Sequence, residues 1–137
     1  MTGWLIDTSA MVRLGDADRE HRDWPSLIQR GLVSITTITL LEVGFTARNE
    51  KDLALTMSTP PVASMPLVTL TPRAEERACA VQRLLWGRGH HRAVSIPDLL
   101  VAAMAELEGL TVLHVDKDFD LIADVTGQPV ERLRESP

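Results

Sequence analysis

Thr111-Val112-Leu113-His114-Val115-Asp116 is the clearest strand in the sequence, and it ends on an acid. Its β-branched and apolar residues suit a buried sheet position. Trp4-Leu5-Ile6 is a second short apolar run, and Asp7 follows it directly. Read as parallel strands of one sheet, the two runs place Asp7 and Asp116 at carboxyl ends. In open α/β sheets that edge is where ligands bind.

The rest of the chain alternates strands with helices. A helix is expected from Ser9, whose hydroxyl suits an N-cap. His21 to Arg30 reads as the next helix, with Gly31 as its stop. Leu32 to Ile35 is a strand candidate. Thr39 to Arg48 and Lys51 to Met57 read as helices, and Pro60-Pro61 breaks the chain. Leu67 to Leu70 reads either as a short strand or as loop. Thr71 caps a helix with Pro72 in its first turn, running to about Trp86. Ser95-Ile96-Pro97-Asp98 opens a helix that stops at Gly109. A short helix over Phe119 to Ala123 and an edge strand over Pro129 to Leu133 complete the pattern. Such alternation predicts an α/β protein, a sandwich with a central, mostly parallel sheet covered on both faces. The 137 residues suit a single domain, 1–137, without internal linkers or repeats.

Composition narrows the class. Hydrophobic residues make up 45% and charged residues 24%, the profile of a folded chain. No stretch reaches bilayer-spanning length, and the N-terminus lacks a signal-peptide pattern. The single cysteine, Cys79, cannot form an internal disulfide, which fits a cytoplasmic protein. It is expected to be a buried, inert thiol. A net charge of −5 argues against coating nucleic acid through a broadly basic surface.

Four carboxylates carry the functional reading: Asp7, Glu42, Asp98 and Asp116. Ile38, Leu41, Glu42 and Phe45 share one helical stripe, which places Glu42 within an apolar face expected to meet the core. Asp98 stands on a stripe with Val101, Ala102 and Ala105. Buried acids need partners. Each acid alone has an ordinary reading: Asp98 can complement a helix dipole, Glu42 can pair with an arginine, and Asp7 and Asp116 can serve in turns. Together, without matching basic partners in the sequence, they point to a hard cation held by oxygen, Mg²⁺ with Mn²⁺ as a substitute. Zinc does not suit them, because no Cys or His pair has the right spacing.

The same residues resemble a known family. Leu5-Ile6-Asp7-Thr8-Ser9-Ala10 looks like the opening of PIN domains. Thr39-Leu40-Leu41-Glu42-Val43-Gly44 looks like their second acidic motif, and Ile96-Pro97-Asp98 through Ala103 like the third. His114-Val115-Asp116-Lys117-Asp118-Phe119 with Ile122 resembles the fourth. All four come in order across nearly the whole chain, which is similar to VapC-type toxins, the ribonuclease partners of toxin–antitoxin pairs. The resemblance implies a metal-dependent endoribonuclease with a PIN-like α/β/α fold. It implies that Asp7, Asp98 and Asp116 hold one Mg²⁺ or Mn²⁺, and that Glu42, with Asp118, helps hold a second ion or its waters. Asp118 can equally cap the following helix. Thr8 and Ser9 would orient Asp7 or a water, with plain N-capping as the alternative for Ser9. It also implies a VapB-like antitoxin covering the acidic groove, and a homodimer.

Residues outside the motifs have weaker readings. Arg88-Gly89-His90-His91-Arg92 is the densest basic loop and runs towards Asp98, so Arg88 and Arg92 are candidate RNA contacts; a solvated loop is the alternative. His114 either approaches the site or is a hydrogen-bonded core histidine. Lys117 reads as a surface charge. Trp24 and Trp86 are expected in core or dimer packing, with base stacking as the alternative. Two rival functions stand beside the nuclease: a receiver-like phosphoacceptor, and a metal-binding module without catalysis. The first needs paired acids after the first strand, and Asp7 has no acidic neighbour.

Overall fold

The computed structural model describes residues 3–137. Among them five strands form one sheet: β1 (Trp4–Ile6), β2 (Val33–Thr36), β3 (Leu67–Val68), β4 (Thr111–His114) and β5 (Val130–Arg132). Their order is β3-β2-β1-β4-β5, and every pairing is parallel. The chain winds outward from β1 through β2 to β3, then returns to lay β4 and β5 on the other side. The direction of winding therefore reverses between β1 and β4, the switch point at which parallel sheets open a crevice.

Helices cover both faces. Leu5 and Val112 point into one apolar cluster with α5 (Pro72–Gly87), α6 (Ile96–Glu108) and α7 (Lys117–Thr126). Trp4, Ile6, Val33, Ile35 and Leu113 point the other way, into a cluster with Trp24 and Ile28 of α2 (Trp24–Gln29) and Ala10 of α1 (Thr8–Met11). This alternation along each strand is the period-two pattern of a sheet buried on both sides. α3 (Thr37–Phe45) and α4 (Glu50–Ser58) connect β2 to the edge strand β3.

The local signals act as expected in several places. The Thr71 hydroxyl accepts from Ala74 N–H, with Pro72 in the first turn of α5. Ser95 caps α6 by accepting from Asp98 N–H. Gly109 ends α6 with φ +67°, a left-handed conformation that costs glycine little. Gly3 has a different role: a Cβ there would lie 2.4 Å from the Leu32 carbonyl oxygen, where the chain ends of β1 and β2 approach.

Three boundaries and one cap differ from the sequence reading. α2 is shorter than His21–Arg30, because Asp23 caps it through Ser26 N–H. α3 begins at Thr37 rather than Thr39, capped by Thr36, and ends at Phe45. α7 spans ten residues rather than five, since Asp116 caps it immediately after the strand. The first helix is capped by Asp7, not Ser9: Asp7 Oδ1 accepts from Ala10 N–H at 3.2 Å.

Candidate active site

Each strand end at the switch point carries an acid whose carboxylate turns back onto the next helix. Asp7 extends β1, and its N–H still donates to the Leu113 carbonyl of β4. Its side chain is 3% exposed and is fixed from two directions, by Ala10 N–H and by the Ser9 hydroxyl at 2.8 Å. Ser9 Oγ in turn accepts from Val115 N–H at 3.0 Å. One hydroxyl thus ties the ends of β1 and β4 together.

Asp116 is held by its own local frame. Its Oδ1 accepts from Asp118 N–H at 2.9 Å, and its backbone N–H donates to His114 Nδ1 at 3.2 Å. His114 is fully buried, and burial pushes its pKa down, which favours the neutral ring with an accepting Nδ1. Of its two sequence readings, the hydrogen-bonded core histidine is the one observed; it sets the backbone of Asp116. Asp118 is buried and does not cap its own helix. Its Oδ2 accepts from Ser95 N–H at 3.0 Å, fastening the start of α6 to the start of α7.

These anchors bring Asp98, Asp116 and Asp118 together, with one oxygen from each within 4.8 Å of the others. Asp7 adjoins them closely enough to add repulsion to Asp98. Among the described residues, none of these four acids forms an ion pair. The electrostatic consequence is large. Burial, a hydrogen bond shared with Asp118 and the charges of Asp116, Asp7 and Asp118 push the Asp98 carboxyl up to about 8. Burial raises Asp7 to about 6 despite its hydrogen bonds from Ser9 and Ala10. Carboxyl groups crowded this way lack a positive partner of their own. All-oxygen donors with uncompensated negative charge fit a hard divalent cation.

Glu42 needs a correction. Its stripe faces the core only at its start: Ile38 packs against the core, but Leu41 is 69% and Phe45 91% exposed, and Thr39 is the buried residue of α3. Periodicity identifies residues that share a face but not which face packs. What links Glu42 to the site is a hydrogen bond from the Thr8 hydroxyl at 2.9 Å, next in sequence to Asp7. The stripe of Asp98 is as expected, since Val101, Ala102 and Ala105 are buried.

Other readings divide. Cys79 is exposed, not buried, because Ala78 and Val81 take the inward face of α5. Trp24 is core, meeting Trp4 edge-on at 5.2 Å. Trp86 is not: it is 59% exposed and lies flat on His91. Arg88, Arg92 and Lys117 are exposed. The roles of His114 in holding Asp116 and of Ser95 N–H in holding Asp118 were not singled out from sequence. The motif His114-Val115-Asp116 carries the only signal, a histidine two residues before an acid on one strand face.

Comparison with known proteins agrees with this geometry. The PIN domain family model matches residues 4–125. The chain belongs to the PIN-domain family. Ribonuclease VapC2 of Mycobacterium tuberculosis (strain CDC 1551 / Oshkosh) is 58% identical over 134 residues, spanning 98% of this chain and 94% of the relative. Ribonuclease VapC51 of Mycobacterium tuberculosis (strain ATCC 25618 / H37Rv) is 44% identical over 128 residues, covering 93% and 90%. The fold of this PIN domain is also that of a chain in the crystal structure of DNA-bound VapBC from Salmonella typhimurium. That match has a TM-score of 0.76 at 20% identity and covers 96% and 98% of the two chains. Among the described residues, no helix of the PIN domain is long and apolar enough to cross a membrane.

Proposed function

We propose that the chain is a Mg²⁺- or Mn²⁺-dependent endoribonuclease and the toxin of a VapBC-type pair. The observation that carries this is the convergence of Asp98, Asp116 and Asp118 beside Asp7 at the β1–β4 switch point, without a cationic side chain to neutralise them. Ribonuclease names among the relatives support the same chemistry.

In this reading Asp7, Asp98 and Asp116 hold a divalent cation, and Asp118 and Glu42 complete the oxygen set. When bound, such an ion acidifies water and screens phosphate charge. The protein's own residues do the rest. Ser9 and Ala10 N–H fix the Asp7 carboxylate in one direction. His114 Nδ1 accepts from the Asp116 backbone N–H, and Asp118 N–H donates to the Asp116 carboxylate, so both its backbone and its side chain are fixed. Burial and the neighbouring acids keep a proton on Asp98, and that proton must leave as the site fills, so cation affinity rises with pH. Thr8 holds Glu42 towards the cluster. RNA, repelled by the bare acids, is accepted once their charge is reversed.

A protein partner also belongs to this proposal. Leu41 and Phe45 leave an exposed apolar face on α3 beside Glu42, which supports a small VapB-like antitoxin lying over the acidic groove. A chain of a toxin–antitoxin complex from Klebsiella pneumoniae shares the fold. A homodimer is proposed on the same family basis.

Asp7→Asn and Asp98→Asn test the site. Both variants are expected to keep the wild-type circular dichroism spectrum and to lose RNA cleavage that EDTA abolishes in the wild type. Cleavage retained in both would reject the assignment.

A further inference from the structure

At the end of the α5–α6 hairpin, exposed positive charge and an open aromatic face coincide. Trp86 is 59% exposed although it is the largest side chain of its helix. It is held rather than loose. Its ring lies 3.4 Å from His91, centroid to centroid, at 6° between planes. The loop carrying His91 is folded back by hydrogen bonds from His90 N–H to the Leu85 carbonyl and from Ala93 N–H to the His90 carbonyl. One face of the indole is therefore covered and rigid, which leaves the other for a flat partner.

The charge carried by the loop's own sequence has one sign. Between Glu76 and Asp98 the sequence has no acid, yet it contains Arg77, Arg83, Arg88 and Arg92. Arg77 is used, paired with Glu106. Arg88 and Arg92 are exposed and have no carboxylate partner among the described residues. A chain of net charge −5 must attract a polyanion locally, and this loop is where it can do so.

The position follows from the hairpin's register. The Arg77–Glu106 pair sets α5 against α6. Trp86 lies as far beyond Arg77 as Pro97 lies before Glu106, so Trp86 and Pro97 both fall at the loop end of the hairpin. The loop between them ends on Ser95, whose N–H holds Asp118.

We propose that this hairpin end is the RNA-docking platform. Trp86, backed by His91, stacks an unpaired base, while Arg88 and Arg92 hold the phosphates beside it. The substrate class is single-stranded or looped RNA, because a base inside a duplex has no free face to offer. The proposal rests on the ribonuclease reading, but its test separates the two.

Binding is measured in EDTA, where RNA stays uncut, with a short oligoadenylate and a duplex of equal length as probes. Anisotropy of a fluorescently labelled probe reads binding in every variant, and in the wild type, where Trp4 and Trp24 are buried, quenching of the exposed Trp86 emission also reports the contact. The oligoadenylate is expected to quench the wild type and to bind more tightly than the duplex. Trp86→Leu is expected to weaken oligoadenylate binding about 5- to 100-fold, the range for one stacked base, and Trp86→Phe to restore most of it. Arg88→Ala and Arg92→Ala should each reduce the slope of log affinity against log salt by about 0.7. Oligoadenylate binding by Trp86→Leu equal to that of a wild type that cuts RNA would overturn the platform and leave the nuclease standing. Weakened binding in Trp86→Leu, alongside a wild type that cuts no RNA, would uphold the platform and reject the nuclease. Unchanged RNA binding with an altered oligomeric state in Trp86→Leu would assign the tryptophan to a protein contact and overturn the proposal.

Discussion

Glu131 and Asp98 are both partly buried acids near the sheet, and they are treated in opposite ways. Glu131, on β5, receives two hydrogen bonds from the Arg22 guanidinium and a third from Trp4 Nε1. Arg22 also lies over the Trp4 ring at 5.0 Å. The pair holds the segment before α2 onto the edge strand. Asp98 has neither an arginine nor a lysine, only other acids. A fold that pairs the carboxylate at β5 yet leaves those at β1, β4 and α6 to repel one another leaves room for a ligand to neutralise them. Paired acids stabilise the chain; unpaired acids make it depend on what binds.

The sharpest way to break this contrast is by catalysis. Asp116→Asn is expected to reduce RNA cleavage by more than about 100-fold, since losing even an outer partner of a metal ligand costs 10- to 100-fold. Glu131→Gln should still cleave RNA below its melting temperature. Steady-state cleavage of a labelled RNA by the two variants checks this, and equal activity would erase the distinction between the regions.

The next effect is on stability against pH. Asp7 and Asp98 have folded pKa values of about 6 and about 8, above the 3.8 of an ordinary carboxyl. Their protonated forms are favoured in the fold. The stability they contribute is complete below about pH 4 and is lost as pH rises through about 6 and then about 8. In EDTA the melting temperature should therefore fall across that window, and Asp98→Asn should flatten the fall. At a fixed concentration about a hundred times its dissociation constant at pH 8, Mn²⁺ should restore about 2.7 kcal/mol at pH 8 and less at pH 5. A melting temperature in EDTA that does not change from pH 5 to 8 would show that the protein compensates these charges itself.

On the paired side, Glu131→Gln is expected to cost about 1–2 kcal/mol, after allowing for the solvent exposure of Arg22. Urea denaturation measures it, and the loss should be independent of divalent cations. The smallest effect belongs to Cys79→Ser. The thiol is exposed, so the change should stay within about 0.5 kcal/mol. A loss of 2 kcal/mol or more would place that thiol back in the packing of α5.

Much of the frame was legible because its causes are local. Thr71 before Pro72 and Ser95 before Asp98 cap helices through bonds to residues three positions on. Apolar runs bounded by acids or glycine mark β1 and β4. Asp7, Asp98 and Asp116 stood out for a related reason, being acids at strand ends or on a buried stripe. The misreadings share one cause too. Helical periodicity places Glu42 and Cys79 inward, yet it is equally satisfied when the stripe faces solvent. The cap at α1 was misassigned because Asp7 and Ser9 both suit the position. The structure gives the cap to Asp7 and uses Ser9 to brace it.

By itself, then, the sequence determined which segments form helices and strands and which acids are out of place, since neighbours a few residues apart decide both. Tertiary structure alone decided which acids meet. Strand order lays β4 beside β1, and the backbone N–H groups of Ala10, Ser95 and Asp118 fix where each carboxylate points. Contacts between positions 7, 98 and 116 depend on packing across the whole sheet, and no local pattern encodes that distance.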